Sequence, residues 1–274
     1  ALGVYITFRV LDFADMTVEG SFPLGAAICV YFLIRDHHPL LALLAAGLLG
    51  GVAGIVTGLL HTKLRIPSLL AGILSMIALY SVNLRIMGKA NVSLLGKETA
   101  FTYMETLGLD YAQSVFIVGL LATVVIGTLI YWFFGTEIGA AIRATGFNPQ
   151  MIRAQGIDTN VMLLLGLFLS NALTAMAGAF IGMNNGFFDV GMGVGTIVIG
   201  LASVIIGEVL FGTRSFKNSL VSVILGSIVY RFVIAIVLQM GMPPNDLKLF
   251  TSVLVVIALA LPMMRDKVQR RKVG

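Results

Sequence analysis

Seven ionisable residues fall within or beside otherwise apolar runs: Arg9, Asp12, Asp15, Glu19, Arg85, Glu208 and Arg231. A charge at the centre of a hydrocarbon layer costs on the order of 2.5–3.5 kcal/mol by insertion scales. Each therefore needs a partner, a water-filled cavity or a place outside the layer. Glu208 and Arg231 interrupt the apolar runs 197–210 and 221–238 and are expected to pair between neighbouring spans. Arg9 and Asp12 are three residues apart and suit a pair on one helical face. Asp15 and Glu19 alternate with Thr17 and Ser21, and Asp189 follows Asn184 and Asn185. These seven residues and Glu208 are the candidates for lining a polar route through the layer. A wet turn outside the layer for Asn184, Asn185 and Asp189, and a purely structural pair for Glu208, remain open alternatives.

Other chemistry lacks residues. Cys29 is a single cysteine inside an apolar run, so neither a disulfide framework nor a cysteine metal site exists. His37, His38 and His61 lie at span ends and read as hydrated interfacial residues rather than as a metal site. There is no Gly-x-x-x-x-Gly-Lys-Ser/Thr string for ATP hydrolysis, and no His-Glu-x-x-His, Gly-x-Ser-x-Gly or Cys-x-x-Cys. No catalytic residues and no cofactor are expected in this chain.

Composition places these residues in a membrane. Of 274 residues 58% are hydrophobic and 11% charged, with a mean hydropathy of +0.99, whereas a soluble domain carries about a quarter charged residues. The fold class expected is all-α, a polytopic transmembrane helical bundle forming one permease-like domain over 1–274. About nine spans (eight to ten) are expected: 1–11, incomplete; 22–34, short; 39–60; 66–87; 112–134; 160–183; 196–211, short; 218–239; and 248–264. No cleavable signal peptide is visible, and an opening run too short to span alone predicts residues upstream.

The net charge of +5 is dispersed among loops and a tail, which points to orientation and not to nucleic acid. With the tail cytoplasmic, eleven of the eighteen basic residues face inward, Lys63, Arg65, Arg143, Arg153, Arg214 and Lys217 among them. Alternation then puts residues 88–111 outside and 135–159 inside. The segments 13–21 and 187–195 echo one another: an aromatic, an Asp, a small polar run, then a short span. Under this topology the two short spans run in opposite directions. That predicts an inverted repeat with broken helices at its interface.

The inner segment 135–160 is organised as a knob. Residues 137–145 suit a short helix that Gly146 ends as a C′ glycine. Asn148 and Pro149 open a second, 149–155, which Gly156 stops. The string Thr136, Gly139, Arg143, Ala144, Gly146, Asn148, Pro149, Ala154, Gly156, Ile157 resembles the coupling-helix segment of ABC-importer permeases of the branched-chain amino acid and ribose class. The likeness is specific over some twenty residues and weaker but continuous along the chain.

That resemblance implies a bacterial inner-membrane importer subunit working with a second permease (a homodimer), cytoplasmic ATPases that bind ATP-Mg, and an external substrate-binding protein. Glu137, Arg143, Gly146, Asn148, Pro149, Arg153, Gly156 and Asp158 would then form the ATPase-coupling surface. The 12–20 segment departs from the ribose-type Gly-Gly-x-Asp-Leu-Ser-x-Gly string and looks more like a branch associated with amino acids, aromatic ones included. Two rivals stand: an ion-coupled secondary transporter using intramembrane carboxylates, and a non-transporting accessory subunit. A bulky residue at Gly146 is expected to uncouple an ABC permease and to spare a secondary transporter.

Overall fold

The computed structural model describes residues 1–94, 96–105, 108–241, 249–253 and 256. Eleven α-helices carry most of this length: α1 (Leu2–Tyr5), α2 (Val18–Leu33), α3 (Pro39–Thr62), α4 (Ser68–Met87), α5 (Ala100–Glu105), α6 (Tyr111–Phe134), α7 (Glu137–Phe147), α8 (Pro149–Ala154), α9 (Thr159–Asn185), α10 (Thr196–Phe211) and α11 (Phe216–Gln239). Among the described residues six helical segments are long and apolar enough to cross a membrane, α3, α4, α6, α9, α10 with its preceding 3-10 turn, and α11; α2 is apolar but shorter. The protein is therefore an all-α, multi-pass membrane protein. Most of the expected final span, 248–264, lies outside the described residues.

The chain divides into two compact units, Ile6–Thr196 and the pair Ala1–Tyr5 with Ile197–Gly274. In the first, α3 and α9 pack along their length and α2 lies against both, with α4 packed on α2 and, less extensively, on α3. Lipid tails are as apolar as leucine, so close backbone approach has to supply the attraction between helices. Glycine permits it: a Cβ on Gly54 of α3 would collide with the Leu167 carbonyl of α9, and one on Gly25 of α2 with the Ala175 carbonyl. The opposite face of α3 offers Leu44, Leu48 and Val52 outward. On α6 only Ser114, Ile130 and Phe134 are buried.

The two ends of this unit are distinct. At one, β1 (Asn91–Ser93) pairs antiparallel with β2 (Phe187–Asp189), and Lys97 bonds Asp36 at 2.7 Å and the Ile34 carbonyl at 3.1 Å. Connections 88–110, 34–38 and 186–195 thus share one end, as alternation requires. At the other, the Phe13 ring stands edge-on to His61 at 5.2 Å.

In the second unit α10 and α11 form a hairpin, with Gly207 against Ser222 and Gly226 against Ser203. This register corrects the expected Glu208–Arg231 pair. Glu208 lies level with about residue 221, so Arg231 is some ten residues away, ~15 Å along the helix. Asp12 has φ 52° and has left the helix that carries Arg9, so those two do not form a helical-face pair either.

Gly54→Val should destabilise the protein by at least about 1–3 kcal/mol, seen as a lower thermal midpoint in detergent. Leu48→Ala removes an outward side chain that is 61% exposed and should shift stability by less than about 0.5 kcal/mol.

Candidate functional site: a buried polar cluster and an end knob

A π-helical turn, Ile6–Val10, follows the first helix, and residues 11–17 form an irregular break before α2. The structure corrects the extent of that break. α2 starts at Val18, four residues before the expected 22, so Glu19 and Ser21 lie in its first turn and not in the loop. Thr17 stands at the N-cap position, with Asp15 two residues earlier to take up its amide.

Asp15 is 2% exposed, and both its oxygens accept hydrogen bonds: Oδ1 from the Thr17 amide at 2.9 Å and Oδ2 from Asn171 Nδ2 at 2.8 Å. Asn171, midway along α9, also donates to the Leu167 carbonyl at 3.0 Å and accepts from Ser21 Oγ at 2.6 Å. A hydroxyl chain continues outward from the break. Thr17 Oγ1 lies 2.7 Å from Thr57 Oγ1, and Thr57 donates to Ser75 Oγ at 2.7 Å. Either hydroxyl can donate between Thr17 and Thr57, and Thr57 Oγ1 also lies 3.3 Å from the Ala53 carbonyl. Thr17, Ser21, Thr57 and Asn171 expose no surface. Among the described residues no cation stands against Asp15. The cluster joins α2, α3, α4 and α9 at the break by satisfied polar groups, buried in this conformation.

The second predicted break, 184–195, is built differently from the first. Asn184 and Asn185 end α9 and are exposed; the Asn184 carbonyl accepts from the Tyr111 hydroxyl. Asp189 lies on β2, where Oδ1 accepts from Gly191 N at 2.7 Å and Oδ2 from Asn91 Nδ2 at 3.4 Å. A 3-10 turn, Val190–Gly193, then leads into α10. The two echo segments do meet. Glu19 Oε1 accepts from Gly195 N at 3.0 Å, and Gly193 packs on the Glu19 carbonyl and Pro23. Proline explains that contact: Pro23 lacks the N–H that would bond the Glu19 carbonyl, leaving this turn of α2 open to a neighbour. Glu208 is half-buried on α10.

The end knob is present, with one correction. α8 begins as expected, Asn148 accepting from Met151 N at 3.1 Å ahead of Pro149, and Gly156 at φ +83° turns the chain out of it. Asp158 caps α9 through Asn160 N at 2.8 Å. Gly146, however, is not a C′ glycine: α7 runs on to Phe147. Its lack of a side chain serves close packing, because a Cβ there would collide with the Val10 carbonyl. Substituting Gly146 would disturb packing in any class of transporter, so it does not discriminate between them. Arg143 is half-buried, while Arg153 is exposed and its Nε donates to Thr159 Oγ1 at 2.7 Å, tying α8 to α9. Glu137 is exposed in the first turn of α7. Phe147, which the motif did not single out, is 92% exposed at the corner between the two helices, with Met151 beside it at 48%.

Asn171→Leu strips two buried partners, Asp15 Oδ2 and Ser21 Oγ, of their bonds. It should cost about 2–5 kcal/mol, measured as thermal stability in detergent. Asn184→Ala leaves the main-chain acceptor of Tyr111 intact and should cost less than about 0.5 kcal/mol.

Residues 1–260 match the family profile described as branched-chain amino acid transport system / permease component. The tyrosine transport system permease protein of Clostridioides difficile is 41% identical over 260 residues, 95% of this chain and 85% of that protein. An uncharacterized protein of Rickettsia prowazekii is 32% identical over 270 residues, 97% of this chain and 93% of its own length. The fructose import permease of Rhizobium meliloti is 25% identical over 269 residues, 93% of this chain and 71% of that protein. No solved structure matches. With a multi-pass helical bundle, a capped two-helix knob at one end and a family match over nearly its whole length, the chain belongs to the branched-chain amino acid transport system permease family.

Proposed function

We propose that this chain is the membrane-spanning permease subunit of an ATP-binding-cassette importer, moving an amino acid, an aromatic one in the first instance, delivered by an external binding protein. The tyrosine permease relative supports the substrate class. In this reading two copies of the chain work with two ATPase subunits, which hold the ATP-Mg that this chain cannot. The protein sits in the bacterial inner membrane with its C-terminal tail and the knob cytoplasmic, as the distribution of Lys and Arg supports. α2 and α10, each of 16 residues and each preceded by a break, fit the pattern of short helices in an inverted repeat.

The observation that carries the proposal is Phe147. A helical corner whose backbone is capped at Thr136, Asn148 and Asp158 nevertheless offers a nearly bare aromatic ring. An aromatic side chain so exposed beside Met151 makes an anchor for a groove on another subunit. Pro149 and Arg153 of α8 follow it closely in the chain, and Glu137 stands at the other end of α7; the three are assigned to the rim of that contact. The ATPase groove is the occupant this family of machines requires, and ATP-driven closure of the ATPases would move the knob and the spans behind it.

Affinity purification of the intact protein from its native membrane should bring down an ATPase. Phe147→Ala should lower the co-purified ATPase about tenfold or more, the loss expected of an interface hot spot, while the permease keeps its thermal stability. Recovery of the chain with no ATPase, or full ATPase recovery by Phe147→Ala, would contradict this assignment of the knob.

A further inference from the structure

Between the knob and the buried cluster lies a junction that neither feature explains by itself. Val10 and Leu11 end the first helix, are 7% and 6% exposed, and sit between two glycines from different elements. On one side is Gly146 of α7, where a Cβ would collide with the Val10 carbonyl and stand 2.8 Å from Leu11 Cα. On the other is Gly166 of α9, where a Cβ would stand 2.5 Å from Leu11 Cδ1 and 3.1 Å from Cδ2. Neither side leaves slack.

The backbone on both flanks of this junction departs from α-helix. The π-helical turn Ile6–Val10 precedes it, and Leu11 N bonds the Ile6 carbonyl at 3.0 Å. Asp12 follows at φ 52°, a left-handed conformation that Asp tolerates better than most residues. Four residues beyond Leu11, Asp15 is fixed to Asn171, and Thr17 is fixed to Thr57. The break is therefore a short strap held at both ends, by the glycine clamp and by the polar cluster, with exposed Asp12 and Ala14 between.

Among the described residues the knob is attached elsewhere as well, and α7 itself packs against α9. Gly139 of α7 packs against the end of α6 at Phe133 and Phe134, but α6 is almost wholly outward-facing and leads to no buried polar group. Arg153 ties α8 to the start of α9, a helix packed against α3 and α2 along much of its length. Close-packed contacts pass on displacement where loose ones absorb it. The route through α9 reaches Asp15 by the Asn171 bond, whereas the Leu11 clamp joins the break along the chain itself.

We propose that Leu11, clamped between Gly146 and Gly166, is the positioning residue through which movement of the knob reaches the Asp15 break. The proposal rests on the permease reading above. A displaced knob pushes the Val10–Leu11 corner, and the left-handed joint at Asp12 redirects that push onto the strap that holds Asp15. The first break is thereby driven from the cytoplasmic end without distortion of the α3–α9 packing.

The test uses the permease with its ATPase and binding protein in proteoliposomes, with uptake and ATP hydrolysis measured together. Leu11→Ala opens a void between the two glycines. It should leave ATPase co-purification unchanged and hydrolysis within about twofold, while uptake per ATP falls about tenfold, within the range by which residues along a coupling route act. Leu11→Met, which conserves volume, should keep the wild-type ratio. Leu11→Val, a milder change that serves should Leu11→Ala fail to accumulate, should lower the ratio about two- to fivefold. A wild-type ratio in Leu11→Val or Leu11→Ala overturns the proposal. So does a fall of uptake and hydrolysis together in proportion to a lost thermal midpoint, since that marks packing alone. Absence of any ATP-dependent uptake by the unsubstituted complex would instead refute the permease reading itself.

Discussion

A carboxylate with no cation beside it, buried among helices of a membrane protein, is the constraint on which the described bundle depends. Asp15 is held there by one main-chain amide and one side-chain amide. Asn171 can supply its side only if α9 comes within hydrogen-bonding reach of the break. The approach is set by small residues: Gly54 of α3 lies against Leu167, one turn before Asn171, and Gly25 of α2 lies against Ala175, one turn after. Larger residues at either glycine would move α9 away and leave the carboxylate, Ser21 and Asn171 unsatisfied in a low-dielectric interior, the costly case for any polar group. Glycine packing and polar satisfaction are thus one arrangement.

The same arrangement divides the molecule into a part that can transmit force and a part that meets lipid. The α2–α3–α9 core is close-packed and polar at the break, whereas the outward faces of α3 and α6 carry leucine, valine and aromatic residues. The knob is joined to the core by short, tight contacts, and its only strongly exposed aromatic among the described residues of α7 and α8 is Phe147. A rigid mount with an exposed apolar tip is what a docking element needs. At the opposite end, the β1–β2 ladder and the Lys97–Asp36 bond tie the loops to one another, so the second break is anchored to the 88–110 connection.

Local features were legible in the sequence. The spans appeared as apolar runs, and Asn148-Pro149 and Gly156 marked the start and stop of α8 because capping and positive φ depend on a few neighbouring residues. Features set by contacts between distant residues were not legible. Gly146 looks like a helix terminator by position, yet its role is fixed by Val10, on a helix more than a hundred residues earlier. The supposed pair of Glu208 and Arg231 matched charge to charge, but hairpin register, which the glycines decide, sets them far apart. Asn171 had a signal that went unused: an amide in the middle of an apolar span needs a partner, and the buried Asp15 needed a donor. Ser21 and Glu19 looked like loop because of their polarity, although α2 takes them into its first turn to satisfy Asn171 and the Gly195 amide.

The central claim is that a separate ATPase drives this permease through the knob. The most direct measurement is uptake of tyrosine by proteoliposomes containing the permease, its ATPase and its binding protein, with ion gradients collapsed by ionophores. The account predicts uptake that requires ATP hydrolysis and persists without any gradient. Uptake by the permease alone, driven by a proton or sodium gradient and indifferent to ATP, would contradict it.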